Sequence, residues 1–435
     1  MEKEIYKSQI DTINLAKKYL KHRKKTGVDI SISPFCDFVI WADCIGNEKI
    51  KLIRKKKYLS FDLVKNFIKE ILSIFINSNY KLISSKLNKK KKYNIIYSYC
   101  SKENFEKNGS FNDRYFNYKS NKKKNIYWFL ISLDNYIPAK IKNISIVYKE
   151  KGTINFLNFL KIILKNLCKK NFLDNTNYTT FTSNLFANYF YKTLKYCKFN
   201  VYLPYENRPH QNAVIKVAKQ ISKKNKIFGY YHRMPEPLQL EMIYKSNFLD
   251  KLYVCSEIQK KVFHRYFSWP SKKLEVINSI RYLKFRKRKD YIFLPYSIKN
   301  QNFFIEKLKT LLMIKNSNIK KHNISIHYLN KKNKKHINFK DQIKKISIKN
   351  NKKLDAPVIL GEAGSVASEM LDTTGKVYHI SNRNLNIFSQ KIWKNIKVKK
   401  VSESIFEYKK LTNKKLLNIN GKKNNFNNIL TKNKF

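Results

Sequence analysis

Four short segments of the 435-residue chain gather side chains that could do chemistry. In Pro204-Tyr205-Glu206-Asn207-Arg208-Pro209-His210, a carboxylate, a guanidinium and an imidazole crowd together between prolines that restrict the backbone. Glu206 could act there as a general base, or it could cap the following helix and leave His210 at the surface. Gly229 to Pro237 (GYYHRMPEP) sets His232 beside Arg233, a pair suited to proton transfer and anion stabilisation. A histidine satisfied at a sheet edge is the plainer reading. Asn278-Ser279-Ile280-Arg281-Tyr282 carries one of only ten arginines, either a phosphate-binding cation or an ordinary linker charge. Gly361 to Glu369 (GEAGSVASE) joins a glycine-containing turn to a Ser-headed run, with Glu362 and Glu369 in a region poor in acids. Free N–H groups and the Ser365 hydroxyl would hold a diphosphate there, and a carboxylate would hold a ribose or sugar hydroxyl. A tight turn with an N-cap serine would look the same.

Each segment needs a strand that ends on it, because open parallel sheets present ligands at the carboxyl ends of their strands. Nearly continuous apolar runs supply candidates at 94–100, 126–132, 144–149, 198–205, 226–231 and 251–256. Helices are expected over 154–168, about 211–219 and 257–267. A strand over 274–283 runs into a basic linker at 284–290. A second series follows, with strands at 291–297, 324–329, 356–360 and 376–380, a helix over 301–314 and another opening near Ser365. Beyond about 403 the pattern predicts a helix and a low-complexity Asn/Lys tail. The fold class that fits is α/β: two Rossmann-like domains facing a cleft, with an extra N-terminal helical region. The divisions fall at 1–90 for that extension, 91–285 and 290–400 for the two domains, and 401–435 for the tail.

Lys and Arg number 91 against 30 Asp and Glu, a formal charge of +61, yet all but ten of the cations are lysine. Nucleic-acid binders rely on arginine for bidentate contacts, and no RNP, KH or helix-turn-helix pattern is present, so nucleic acid is not the expected partner. The joint excess of Lys, Asn, Ile, Phe and Tyr points to AT-rich codon drift. The charge nonetheless favours anionic partners such as nucleotide phosphates and lipid head groups. Six cysteines without a CxxC pair suit buried free thiols of a reducing compartment. With no 18-residue apolar run and no signal-peptide pattern, a cytoplasmic protein is expected. HExxH, DxD and GxSxG are absent and the eight histidines lack metal-ligand spacing, so no metal and no other cofactor is expected. Charge at a leaving group must then be met by side chains and helix N-termini.

A basic helix is expected over 6–25 and an amphipathic one over 61–77. Leu63, Val64, Phe67, Ile68, Ile71, Leu72 and Phe75 share one face of the second, between basic clusters at 54–57 and 89–92. It either docks on a core or rests on an anionic bilayer, peripheral at the inner membrane.

In chain order, PYENRPHQNAV, GYYHRMPEP, LYVCSEIQKKVF and VINSIRY resemble bacterial surface-carbohydrate (polysaccharide or O-antigen type) biosynthesis proteins with a GT-B-like glycosyltransferase fold. NGSFNDRYF (108–116) resembles their first-domain pattern, and SVASEMLDTTGKVYHI (365–380) the Ser-x-x-x-Glu-then-Gly segment of a sugar-nucleotide domain. His327 is followed by Tyr328, a departure from the strand-ending His-Pro of such proteins. The resemblance spans about 94 to 380. It implies a metal-independent enzyme that transfers a sugar from a nucleotide donor to a polysaccharide or lipid-linked acceptor. Glu206 or His232 would remove the acceptor proton, and Arg233 and Arg281 would stabilise the leaving phosphate. Glu362, Gly364, Ser365 and Glu369 would bind the nucleotide sugar, which is a substrate and not a cofactor. A polyol- or sugar-phosphate transferase, a non-catalytic scaffold of the same fold and a basic RNA-binding protein are the alternatives.

Overall fold

The apolar runs pair into two sheets. The computed structural model describes residues 1–25, 31, 61–119, 125–167, 176–282, 288–298, 300–319, 322–327, 330–346, 352–362, 364–412, 415–419 and 425–432. Basic cluster 54–57 and most of the linker at 284–290 lie outside them, as do Cys36, Cys44 and Cys168. Cys100, Cys197 and Cys255 are buried free thiols.

The first sheet has eight strands: β1 (Tyr80–Ser84), β2 (Lys92–Cys100), β3 (Ile126–Ser132), β4 (Ile144–Lys149), β5 (Lys198–Pro204), β6 (Ile227–Tyr230), β7 (Lys251–Val254) and β8 (Leu274–Val276). Their spatial order is β1-β4-β3-β2-β5-β6-β7-β8, and only β1 runs antiparallel, against β4. Every residue of β3 is buried, as a central parallel strand requires when both faces are covered. One face carries Tyr97, Phe129 and Val201 under Phe186 and Phe190 of a helix; the other carries Trp128, Tyr202, Phe228 and Tyr230.

The second sheet contains β9 (Tyr291–Phe293), β10 (Asn323–Ser325), β11 (Val358–Leu360), β12 (Lys376–Ile380), β13 (Ile396–Ser402) and β14 (Ile405–Lys410), in the order β10-β9-β11-β12-β14-β13. The first four in that order are parallel, and the closing hairpin is antiparallel. The architecture is thus α/β with two Rossmann-like sheets.

Three features depart from the sequence reading. The first sheet begins at Tyr80, ahead of the boundary at 91, because β1 adds to the β4 edge through a Ser84–Ser145 hydroxyl contact of 2.7 Å. The second sheet continues to 410 and not 400, since Ile405, Phe406 and Tyr408 alternate into its core where a helix was expected. A helix over Tyr178–Leu194 was not foreseen. Its Thr, Asn and aromatic residues are weak helix formers, so packing of Phe186, Phe190 and Leu194 and an Asn177 cap on Thr180 N–H (2.9 Å) hold it.

Both chain ends clasp this framework. Helix α1 (Glu2–Lys25) buries Ile5, Ile13 and Ala16, and its Gln9 Nε2 donates to the Ile387 carbonyl at 2.6 Å. The C-terminal helix Asn425–Lys432 lays Phe426, Ile429 and Leu430 on the first sheet beside Phe116 and Tyr202. Among the described residues, no helix is long and apolar enough to cross a membrane.

Candidate functional site

From β2 the chain winds outward through β3 and β4, then returns to the other side of β2 as β5 and continues to β8. The crevice beyond the carboxyl ends of β2 and β5 is therefore the switch point, where doubly wound sheets bind ligands. Tyr99 is supplied by the end of β2, and Glu206, Arg208 and His210 follow β5. In the second sheet the switch lies between β9 and β11, where the turn at Gly361 leads into the helix Gly364–Thr374.

The 204–210 loop is held by its own amides. Gln211 Nε2 donates to the Pro204 carbonyl at 2.6 Å, while its Oε1 accepts from the Glu206 and Arg208 N–H groups at 3.0 and 3.1 Å. Asn207 takes a φ of 60°, and its Nδ2 donates to the carbonyls of Glu241 and Tyr244. That left-handed residue turns the chain so that Glu206 points back at the neighbouring strand end. His210 is not a surface group: its ring nitrogens lie 2.7 Å from Tyr97 Oη and 3.2 Å from Tyr99 Oη, and burial pushes its pKa down to about 3.

Glu206 Oε1 stands 3.1 Å from His232 Nε2, and Arg208 Nε reaches Glu206 Oε2 at 3.3 Å. Burial pushes the Glu206 carboxyl up. The His232 hydrogen bond and the charges of Arg233 and Arg208 outweigh it and keep the group well below the usual carboxylate range. Burial holds the imidazole of His232 below its ordinary pKa, against the opposing pull of Glu206, and Arg281 and Arg233 add to the lowering. A carboxylate only accepts, so Nε2 carries the proton and Nδ1 of the neutral ring is a lone pair. His232 is 2% exposed, and its Nδ1 is buried with no hydrogen-bond partner among the described residues.

Tyr115 presents its ring edge-on to His232, 4.6 Å between centroids, and Arg281 stacks on the rings of Tyr115 and Tyr282 at 5.3 and 5.2 Å. Tyr230 Oη accepts from the N–H groups of Ile280 and Arg281 at 3.0 and 3.3 Å, which fixes that backbone over β6. Arg233, expected at a leaving phosphate, is instead committed to Glu236 (2.7 Å) and Glu241 (2.9 Å). With two carboxylates on one guanidinium, it braces the 233–241 loop.

The two sheets meet through these loops. Ser368 Oγ donates to the Pro235 carbonyl at 2.5 Å, and Trp393 Nε1 to the Pro237 carbonyl at 3.1 Å. Glu369, one residue on, is half-buried; burial raises its carboxyl pKa and Arg288 opposes the shift. Burial is the main cause that raises the Tyr282 hydroxyl pKa; Arg281 opposes it and the Glu369 charge adds to it. Glu362 is exposed and makes no hydrogen bond or ion pair among the described residues. Gly364 and Ser365 open the helix, with side-chain surroundings outside the described residues. Gly361 has a φ of +78°, and its carbonyl accepts from His379 Nε2 at 2.6 Å. Burial pushes His379 down to about 4, and Tyr408 Oη meets its Nδ1 at 2.6 Å.

Sequence reasoning assigned no role to Asp113. It is 1% exposed, accepts from the N–H groups of Tyr115 and Phe116 at 2.7 Å each, and receives the Ser98 hydroxyl. It thereby sets the turn that delivers Tyr115 to His232. An isolated acid directly before Arg-Tyr in a lysine-rich loop was the available signal. Among the described residues no group of three His, Cys, Asp or Glu could hold a metal ion.

No family model matches the chain, and no curated protein matches it. Several solved structures are similar at low identity, among them the following. A glycosyltransferase from Rickettsia africae ESF-5 is 13% identical over 69% of this chain and 88% of its own, with a TM-score of 0.30. A UDP-N-acetylglucosamine 2-epimerase from Rickettsia bellii is 14% identical over 64% and 76%, with a TM-score of 0.34. UDP-GlcNAc 2-epimerase from Methanocaldococcus jannaschii, in complex with UDP-GlcNAc and UDP, is 15% identical over 67% and 84%, also at 0.34. Identities and scores this low leave the functional reading to the site's own geometry.

Proposed function

We propose that this chain is a GT-B-like glycosyltransferase that uses a nucleotide sugar and acts on a surface-polysaccharide or lipid-linked acceptor. The observation that carries the reading is the Glu206–His232 pair at the switch point of the first sheet, with its unpartnered Nδ1. A buried, unpaired ring nitrogen costs about 1–3 kcal/mol, and an acceptor hydroxyl donating to it would remove that cost. Nδ1 is closed off in this conformation, so the acceptor must displace its immediate neighbours, among them the Tyr115 ring.

In the proposed reaction the acceptor oxygen attacks the anomeric carbon as its proton passes to His232 Nδ1. Glu206 fixes the tautomer and stabilises the imidazolium that forms. The bond from the anomeric carbon to the diphosphate oxygen breaks, and that oxygen leaves with the electron pair. Its charge falls to Arg281 and to the free amides at the start of the helix Gly364–Thr374, without a metal. Glu369 is the candidate partner for a donor hydroxyl. A polyol- or sugar-phosphate transferase would use the same base and the same diphosphate-binding groups.

The test is a panel of nucleotide sugars and CDP-linked polyols, read by thermal shift and by release of the nucleotide. Stabilisation by one nucleotide class, with turnover lost in His232→Gln and binding kept, is the expected result. If no nucleotide shifts the melting temperature, the reading is withdrawn.

A further inference from the structure

Two amphipathic helices, α2 (Phe61–Asn77) and α3 (Phe156–Leu167), meet near the β1 edge of the first sheet: α2 leads into β1, and α3 follows its partner β4. They touch through Phe75 and Phe159, with ring centroids 5.3 Å apart, and the Ile154 N–H donates to the Phe75 carbonyl at 3.0 Å. The face predicted for 61–77 is split: Phe67, Ile71 and Phe75 are half-buried, whereas Ile68 and Leu72 stand 52% exposed each. Ile76, outside the predicted set, continues the exposed row at 53% with a spacing of four residues, and Ile74, also outside it, is the fully buried position. Leu63 and Val64 of that face have side chains outside the described residues. On α3, expected from sequence as a helix over 154–168, Phe156, Leu157 and Leu164 are 59%, 66% and 60% exposed.

Scattered single apolar residues on a surface are ordinary, but two adjacent rows of large ones mark an interaction surface. Its charge selects the partner. Lys65, Lys69 and Lys161 are exposed among these rows, and the stretch 151–170 holds five lysines and no acid. Glu70 is exposed as well, but its carboxylate is engaged in accepting the Tyr178 N–H at 3.0 Å. A second copy of the chain would set lysine against lysine across the contact. An anionic bilayer takes both features at once: aliphatic side chains enter the acyl boundary while ammonium groups meet lipid phosphates.

We infer that the paired outer faces of α2 and α3 seat the protein on an anionic lipid surface. This does not depend on the glycosyl-transfer reading and is tested without any activity. Full-length protein is floated with vesicles of phosphatidylcholine alone or mixed with phosphatidylglycerol, over a salt series. Binding is expected only to the anionic vesicles, weakening as salt rises. Leu72→Glu with Leu157→Glu should weaken it about tenfold or more, because two buried aliphatic side chains are lost from the bilayer. Both positions are exposed, so melting temperature serves as the folding control and should be unchanged. Lys161→Glu should weaken binding at low salt only.

Four results would overturn the inference. One is no binding to anionic vesicles at low salt. Another is equal binding by the double variant, which would reduce the effect to diffuse charge. The third is a concentration-dependent rise in mass that the double variant abolishes, which would make the face a self-association surface. The last is cross-linking of Leu157→Cys to residues 32–60 in the free protein, which would mean that the chain covers the face itself.

Discussion

His232 Nε2 and Glu206 Oε1, 3.1 Å apart, join the carboxyl ends of two neighbouring parallel strands, β5 and β6. Strand pairing at Pro204↔Tyr230 brings the loops together, and the left-handed Asn207 directs the carboxylate across the gap. The pair is therefore a consequence of sheet register, and its protonation follows from the low dielectric around it. An ionised Glu206 beside a neutral His232 is the arrangement of a positioned general base.

Such a base works only when unprotonated. Turnover should fall as pH drops through the His232 pKa, which lies below 6.5 because burial disfavours the imidazolium. Glu206→Gln removes the one neighbour that pulls this pKa up, so the acid limb should move to still lower pH. The maximal rate should drop by roughly 10²-fold or more as the imidazolium loses its partner. An unmoved acid limb in Glu206→Gln would separate the pair from the chemistry.

Arg281→Ala should lower turnover by about ten- to a thousandfold while leaving melting temperature nearly unchanged, since its guanidinium is stacked on two tyrosines and makes no ion pair among the described residues. Arg281→Lys should restore part of the rate by its charge, but not the planar stacking. Parallel losses of rate and stability would mark it as a structural cation.

Gly361→Ala is expected to be costly. The position has a φ of +78°, and an added Cβ would lie 2.5 Å from Pro295 Cβ. The left-handed conformation alone costs about 1–2 kcal/mol for a side chain, and the contact adds to it. Melting temperature should fall by several degrees, and nucleotide affinity should fall with it, because the turn sets the start of the helix Gly364–Thr374. Calorimetry with and without nucleotide separates the two effects.

Asp113 gives a stability term with a defined sign. Burial pushes its carboxyl up to about 6 from an ordinary 3.8, against the hydrogen bonds of Ser98, Phe116 and Tyr115. Between those values the folded chain holds a proton that the unfolded chain releases. The contribution is fully present below about pH 4 and is lost as pH rises through about 6, on the order of 3 kcal/mol in all. Asp113→Asn removes the titration. The stability difference between wild type and variant should therefore change across pH 4 to 6 and be flat above pH 7, as denaturant titrations at each pH will measure.

The linear pattern of residues was enough to determine the α/β class, most parallel strands and the four loops, because a buried parallel strand leaves a continuous apolar run with polar residues where it ends. It also marked Glu206, His232, Arg281 and Glu369 as side chains to watch. Local pattern did not determine which of them meet. Arg233 lies next to His232 in the chain yet turns to Glu236 and Glu241, while Glu206 crosses from the neighbouring strand to take the imidazole. Asp113 and Tyr115 entered the site through a turn whose destination depends on how β2 and β3 pair. The helix at Tyr178–Leu194 has little propensity of its own and exists by packing. Helix α2 read as amphipathic in sequence and α3 simply as a helix, but which of their apolar residues are buried was decided by the contacts they make in the folded chain. Period and propensity are local properties. Registry between strands, burial and the field around a titrating group are sums over residues distant in the chain, and only the folded arrangement sets them.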